Sequence, residues 1–411
     1  MLSEIGFFLL TLRRMCAYYY VGRSKKMKRS ITIGFDARQA VRDDAEFGAY
    51  SRLVLEALAL AAPRYTYLRS YVTSRPHHEG YEAIERLHNV ETMEPDGALW
   101  RILTLPWRLW HISKDLHNGS VELYHGLTEQ IPLGLARHKI RSVVSVHNMA
   151  YLYDKSILNS PENFLHRLYM GRMLHRVDRI VAVSESVKRD IIKHCNIYSD
   201  KVDVVYSGVA KRFTEPVSEE TMEEVGTRYN LPARYILGVG AQIERRNMLK
   251  VIKILPLIDH EMHYVIVGRA TVYTARLQRA ATELGVGDRV HFIHDAKEED
   301  MPAIYHRATM LINISKYEGF ASSLAEALTT GTPCIASRRL CMEEIAADAA
   351  IYINTNSRDE LIGAIRRLTE DSTLRDRLTT EGLRHATRFR PEVVAFNLIN
   401  CYRKVGIDIR G

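Results

Sequence analysis

Glu318 and Glu326 bracket the segment EGFASSLAE, and the residues around them have the makings of an anion site. The apolar run Met310 to Ile314 reads as a strand, and the polar loop after it carries Glu318 and Gly319. A helix is predicted to open near Ser322–Ser323 and to stop at Gly331, with Pro333 leading into another apolar strand. Glu318 therefore falls on a loop at the carboxyl end of a strand, and Glu326 one turn into the following helix. The backbone N–H groups of the helix start lie between them, where a phosphate is readily seated. Two acceptor-rich side chains flanking an anion site suit a ligand with a diphosphate in its middle and hydroxyl-bearing groups at both ends. The same residues also fit a plainer role. Ser323-x-x-Glu326 has the spacing of a capping box, in which Glu326 satisfies the backbone N–H of the cap residue, and Glu318 also fits an ordinary loop carboxylate.

Other candidates sit at comparable places. His147 ends the strand RSVVSVH, and ligands of open α/β sheets bind outside the carboxyl ends of strands. A histidine that merely caps a strand fits as well. Arg245 and Arg246 follow the strand YILGVG, and arginine offers fixed, forked donors that match phosphate oxygens. A solvated basic loop is the alternative. Gly48, in EFGAY, lets backbone approach a ligand closely. Ser184 follows the strand RIVAV and is predicted to cap a helix.

These residues must be held by the elements around them. From Ile31 onward, short apolar strands alternate with amphipathic helices, a rhythm that implies parallel sheets covered by helices. Strands are predicted at Ile31–Phe35, Val121–Tyr124, Val143–Val146, Ile180–Val183 and Val202–Tyr206, with a helix over Tyr50–Ala61 after Gly48. Residues 211–234, with Pro216 and Pro232, break the rhythm and read as an inter-domain link. It resumes at Tyr235–Val239, Tyr264–Val267, Val290–Ile293, Met310–Ile314, Cys334–Ala336 and Ile351–Ile353. The fold class is α/β, with two Rossmann-like domains whose parallel sheets face a central cleft. The expected domains are 30–212 and 213–390, followed by a C-terminal segment, 391–411. No G-x-G-x-x-G follows either domain-opening strand, which counts against a nicotinamide enzyme.

The stretch EGFASSLAEALTTGTPCIAS resembles the signature of glycosyltransferase family 4, two glutamates with seven residues between them. ITIGFDARQAVRDDAEFGAYSRLVLEAL is similar to that family's opening strand, glycine loop and first helix. RSVVSVHNMAYLYD resembles its strand ending in an active-site histidine. HRVDRIVAVSESVKRDII and KVDVVYSGVAKRF resemble the close of its first domain. YILGVGAQIERRNMLKVI and HYVIVGRATVYTARLQRAATELGVGDRVHFI resemble the start of its second. Together they cover most of residues 31–390, in the family's order.

The resemblance implies the GT-B fold, with 30–212 on the acceptor side, 213–390 on the nucleotide side and a C-terminal helix in 391–411 packing back on the first domain, and a retaining hexosyl transfer from a nucleotide-diphosphate sugar, GDP- or UDP-linked, with mannose first in expectation. The acceptor it implies is a glycan or lipid-linked glycan of the cell envelope. It implies that His147 and Glu318 contact the transferred sugar, Glu318 together with the backbone of Phe320 and Ala321. Ser322 and Ser323 would give main-chain N–H groups to the diphosphate, Arg245 and Arg246 would ion-pair with it, and Glu326 would hold the ribose. The chain departs from the family at Glu46, where a first loop glycine is usual, at Asn148 in place of aspartate, and at Ala241 in place of arginine. Same-face attack is expected, the leaving phosphate taking the acceptor's proton. No Asp-x-Asp occurs in the chain, so no metal and no other cofactor is expected. A nucleotide-sugar epimerase, a binding protein without turnover and a glycogen-synthase-like polymerase are the rival readings.

The 411 residues suit two domains, and a chain 46% hydrophobic and 26% charged has a globular balance. Five scattered cysteines without a C-x-x-C pair argue against a disulfide framework or zinc site and for a reducing, cytoplasmic setting. The net charge of +8 favours anionic partners, but no nucleic-acid motif is found. Part of the excess is local: residues 1–29 hold seven Lys or Arg against Glu4. Their apolar run, Ile5 to Leu12, falls far short of the ~20 residues a spanning helix needs. This segment reads either as an interfacial anchor to an anionic membrane, peripheral on the inner face of the plasma membrane, or as a dispensable extension.

Overall fold

Thirteen strands, all parallel to their neighbours, form two sheets among the described residues. The computed structural model describes residues 30–42, 46–64, 66–73, 78–152 and 161–409. The basic segment 1–29, and with it the anchor reading, lies outside the described residues.

The first sheet contains β1 (Ile31–Asp36), β2 (Thr66–Tyr71), β3 (Val90–Met93), β4 (Leu123–Gly126), β5 (Arg141–Val146), β6 (Arg179–Ala182) and β7 (Val202–Val204), in the order β3-β2-β1-β4-β5-β6-β7. The second contains β8 (Tyr235–Val239), β9 (His263–Val267), β10 (Val290–Ile293), β11 (Met310–Asn313), β12 (Cys334–Ser337) and β13 (Ala350–Ile353), in the order β10-β9-β8-β11-β12-β13. In each sheet the chain winds outward from a central pair, first one way and then the other. The β1–β4 pair and the β8–β11 pair are therefore topological switch points, and the loops at their carboxyl ends diverge to leave a crevice.

Three expectations are corrected here. Strands β2 and β3 carry no apolar run long enough to find: Arg69 and Glu91 form an ion pair across them (3.0 Å) where apolar residues are usual. Strand β4 starts two residues later than expected: its pairing with β1 begins at Ile33 and Leu123, and the Val121 N–H closes a turn on the Leu116 carbonyl (3.0 Å). The first helix spans Glu46–Ala61 and takes in Gly48, which is buried in its opening turn rather than held on a loop.

Both sheets are covered by apolar helix faces. The largest buried cluster runs from Val144, Leu174 and Val183 of the first lobe through Phe213 and Phe389 to Leu237, Phe320 and Leu324 of the second, so the lobes share a continuous interior. Burying one side chain of this size stabilises by roughly 1.5–3 kcal/mol. The C-terminal helix Pro391–Arg403 opens with a proline, whose missing N–H costs nothing in a first turn. Its Val394, Leu398 and Tyr402 pack with Ile33, Phe35, Val54 and Leu58 of the first lobe. A buried polar chain ties this helix to the sheet: Tyr402 meets His125 Nδ1 (2.7 Å), His125 Nε2 meets Ser145 Oγ (2.9 Å), and Ser145 Oγ meets Tyr50 (2.7 Å). Among the described residues no helix is long and apolar enough to cross a membrane.

Candidate active site

The second switch point brings together the loop after β8 and the loop after β11. Their backbones are joined by the Lys316 N–H on the Arg245 carbonyl (2.8 Å) and by Asn247 Nδ2 on the Ile314 carbonyl (2.8 Å). Asn247 has φ 58°, a left-handed conformation that asparagine tolerates, and it ends the short turn Glu244–Arg246. Both arginines are thereby turned toward Glu318. Arg245 Nη1 donates to Glu318 Oε2 and Arg246 Nη1 to Glu318 Oε1, each at 3.1 Å. Arg245 also donates to the Tyr317 carbonyl (2.7 Å).

One carboxylate is thus clamped by two guanidiniums in a nearly dry crevice, with only 4% of the Glu318 side chain exposed. Burial by itself would raise the Glu318 pKa. The charges of Arg246 and Arg245, with a hydrogen bond from Ser315, outweigh it and hold the carboxyl below its ordinary value. Gly240, at φ 120°, makes room for Arg246, since a Cβ there would come within 2.4 Å of the guanidinium carbon. Arg246 Nε is buried without a hydrogen-bond partner. Two positive charges facing one negative charge leave the crevice with a surplus suited to an anion.

Gly319 and Phe320 carry the loop across to the first lobe. The Gly319 carbonyl accepts from Ser184 Oγ (2.6 Å), while Ser184 also caps the helix Glu185–Cys195 through the Val187 N–H (3.1 Å). Tyr317 accepts from the Met149 N–H (2.9 Å) and donates to Asp190 Oδ2 (3.1 Å). Phe320 and Ala321 are buried, and Phe320 packs against Tyr206 and Phe389.

The helix Ser322–Thr330 begins here without a side-chain cap. The capping-box alternative is not realised: Ser323 Oγ accepts from Asn313 Nδ2 (3.0 Å), and Glu326 Oε2 accepts from the Tyr305 hydroxyl (2.6 Å) instead of bonding back to the cap. Burial raises the Glu326 pKa, and the Tyr305 hydrogen bond only partly offsets it. The Ser322 N–H already turns back on the Phe320 carbonyl (2.9 Å), so of the two amides expected to meet a phosphate this one has a partner within the chain.

On the opposing wall, His147 follows β5 and is 2% exposed. Phe47 and Tyr50, on either side of Gly48, contact its ring edge-on. Its Nε2 lies 2.7 Å from the Leu127 carbonyl and must carry the proton, which leaves Nδ1 as an acceptor, buried without a partner. Burial lowers its pKa to about 4, so it is neutral at physiological pH.

Of the expected residues, Arg245, Arg246 and Glu318 are in direct contact, and His147 reaches the same loop through Gly319. Glu326 and Ser323 lie one turn further on, and Gly48 is two residues from the Tyr50 ring that touches His147. Sequence reasoning missed Glu129, Tyr317 and Tyr305. It also missed Glu298, which bridges Arg52 of the first lobe (2.6 Å) and Arg212 of the link (2.9 Å). None of these four carries a local periodic or motif signal.

Two family models match the chain: Glycosyltransferase Family 4 over residues 57–212, and Glycosyl transferases group 1 over residues 225–385. Among curated relatives, the O-antigen chain mannosyltransferase RfbU of Salmonella typhimurium is 26% identical over 231 residues, 55% of this chain and 60% of that protein. The O-antigen chain mannosyltransferase B of Escherichia coli is 24% identical over 292 residues, 68% of this chain and 74% of that protein. Among solved structures, Anabaena Alr3699/HepE in complex with UDP and glucose superposes with a TM-score of 0.70 at 16% identity, covering 91% of this chain and 99% of that one. Sucrose-phosphate synthase from Thermosynechococcus elongatus gives 0.73 at 18% identity, covering 92% and 99%. At these identities the structural matches establish the fold.

Proposed function

The chain belongs to the group 1 glycosyltransferases of the GT-B fold, and from that membership we propose that it moves a hexose from a nucleotide-diphosphate sugar to a glycan or glycolipid acceptor in O-antigen-type polysaccharide assembly. Mannose is the first choice of sugar, on the printed names of the two O-antigen relatives. UDP is the competing base to GDP, on the ligand of the Anabaena structure. The observation that carries the reading is the clamp of Arg245 and Arg246 on Glu318 at the second switch point, with the uncapped helix start and Glu326 beside it.

In this reading the donor's diphosphate enters between the guanidiniums and the helix start. Breaking the sugar–phosphate bond builds negative charge on the departing diphosphate, and each fixed donor that meets it is worth about 2.7–4 kcal/mol in comparable oxyanion sites. Glu318 turns from its arginines to the hydroxyls of the transferred sugar. His147 Nδ1, buried and without a partner, accepts a further sugar hydroxyl. Glu326, oriented by Tyr305, accepts from the ribose. Transfer retains anomeric configuration through same-face attack. It needs no metal, because the two guanidiniums take the place of an Asp-x-Asp-held cation.

The test is a donor panel. GDP-mannose, UDP-glucose and their relatives are screened by thermal shift, since a ligand bound only to the native state stabilises it by mass action. The best donor is then incubated with a lipid-linked glycan acceptor, with and without EDTA. Transfer that survives EDTA supports the reading. Activity abolished by EDTA and restored by manganese removes metal independence, and free altered sugar without an acceptor would favour an epimerase.

A further inference from the structure

All three tryptophans of the chain, Trp100, Trp107 and Trp110, fall in the segment 98–118 of the first lobe. The segment is a run of short helices, Ala98–Ile102, Thr104–Pro106 and Ile112–Asn118, interrupted by a wide turn over Trp107–His111. Its inner side is ordinary core. Trp107, Ile112 and Leu116 are buried with Tyr71, Tyr124 and Leu135, and Trp107 Nε1 donates to Asp115 (2.7 Å). In an α-helix, residues three apart share a face, and Trp110 would follow Trp107 inward. Here the Ile112 N–H reaches back five residues to the Trp107 carbonyl, and the extra residue in the turn rotates Trp110 to the outside.

The outer side is apolar as well. Leu99, Ile102, Leu105 and Trp110 are 55–79% exposed. Leu133, also exposed, extends the patch, since its N–H bonds the Leu109 carbonyl (2.8 Å). Single exposed leucines are ordinary, but a cluster of them marks a surface that meets something. Cations are set among these residues. Arg101, Arg108 and Lys114 stand against one acid in 98–118, Asp115, whose carboxylate already engages Trp107 and His111. Arg101 reaches Glu94 only at 3.9 Å. Among the described residues no carboxylate forms an ion pair with Arg108, and its Nε is buried without a hydrogen-bond partner.

We propose that this face docks on an anionic bilayer, with Leu99, Ile102, Leu105 and Trp110 entering the headgroup zone and Arg101, Arg108 and Lys114 meeting lipid phosphates. The chemistry of the patch selects this occupant. A symmetric second copy would lay the face against itself and bring the same cations together. Nucleic acid would answer the cations and leave the leucines in water. A bilayer surface answers both, and an exposed tryptophan suits a boundary that is apolar on one side and wet on the other. The contact is peripheral, since no described helix is long and apolar enough to span. Arg108 also feels the charges of Asp36 and Arg38 at the end of β1, so the face adjoins the first switch point. That placement suits a lipid-linked acceptor.

The experiment uses the full chain. Residues 1–29 contain no tryptophan, so intrinsic emission reports on this face whatever that segment does. The protein is mixed with vesicles of phosphatidylglycerol and phosphatidylcholine in equal parts, their acyl chains brominated, and with brominated phosphatidylcholine alone. Emission should shift to shorter wavelength and be quenched only where phosphatidylglycerol is present. Trp110→Phe should remove most of the quenching, because Trp107 is buried. Serine at Leu99, Ile102 and Leu105 together should weaken vesicle binding at least about 10²-fold. Arg101→Gln and Lys114→Gln should each weaken it about fivefold, the factor that about 1 kcal/mol per cation corresponds to. All of these positions are exposed, so melting temperatures should hold. Wild-type emission unmoved by phosphatidylglycerol overturns the proposal, as does equal quenching by phosphatidylcholine alone. Undiminished quenching in Trp110→Phe puts a different face on the lipid, and a dimer in sedimentation that the serine variant dissociates gives the patch to a second copy; either result overturns it too. The readout is binding and not turnover, so its failure leaves the glycosyltransferase reading standing.

Discussion

Gly319 stands so close to the His147 carbonyl that a Cβ on it would come within 1.7 Å of that oxygen. The two residues belong to opposite lobes, and both atoms in conflict are fixed to backbone, so neither can rotate away. Gly319→Ala should therefore wedge the lobes apart. A displacement of about 1 Å at a reacting centre can cost 10²-fold in rate, and turnover should fall by about that factor while nucleotide affinity changes little. Matching losses of turnover and affinity would place the wedge elsewhere.

Replacing Glu318 with Gln separates two roles. It leaves Arg245 and Arg246 facing each other without their shared counter-charge, and breaking a buried pair costs about 3–5 kcal/mol. Denaturant unfolding should report a loss toward the lower end, since the Arg245 side chain is 28% exposed. Turnover should fall about 10²–10³-fold, in line with the removal of a fixed group from a charge-stabilising site. Nucleoside diphosphate affinity should hold or rise, because a carboxylate competing for the same donors has gone. A large drop in that affinity would show that Glu318 does not compete with the diphosphate.

Glu326 and Tyr305 should behave as a unit in nucleotide binding. Loss of a hydrogen bond to a charged group costs about 1.5–3 kcal/mol. Glu326→Ala should weaken nucleoside diphosphate binding by roughly that amount, and Tyr305→Phe by less, because the carboxylate remains but loses its orientation. Calorimetric titration of both single variants and the double variant should reveal coupling between them. Strictly additive losses would mean that Tyr305 serves packing alone.

Stability should fall on acidification. His147 and His125 are buried neutral, with pKa values lowered from 6.5 to about 4 and about 3. Between pH 6.5 and 4 the unfolded chain binds more protons than the native one, so each histidine removes up to about 1.4 kcal/mol per pH unit as pH drops. Glu129 acts in the opposite sense. Its pKa is raised from 4.5 to about 7, so its contribution is present at low pH and is lost as pH rises through that window. It offsets one of the two histidines. Glu129→Gln should therefore steepen the acid dependence of the melting temperature between pH 4.5 and 6.5, and an unchanged slope would contradict its raised pKa.

Much of this protein could be read from local pattern. The apolar runs YILGV and VHFI became β8 and β10 with their expected bounds. The loop after β11 and the helix from Ser322 also fell where Gly331 and Pro333 put them, because burial on both faces of a parallel strand and the stop signals of a helix are written in consecutive residues. That much depends on residues a few positions apart, and the sequence by itself determined it. What only the tertiary structure decided is who meets whom. Arg245 and Glu318 are 73 positions apart and touch because β8 and β11 are lateral neighbours. Glu326 matched a capping box in sequence, but packing of Tyr305 against it drew the carboxylate away from the cap. Glu129 belongs to no motif. Its left-handed backbone and its grip on the His147 N–H exist only once β4 and β5 lie side by side. Strand order is fixed by the sum of many weak non-local contacts, and no short stretch of chain records it.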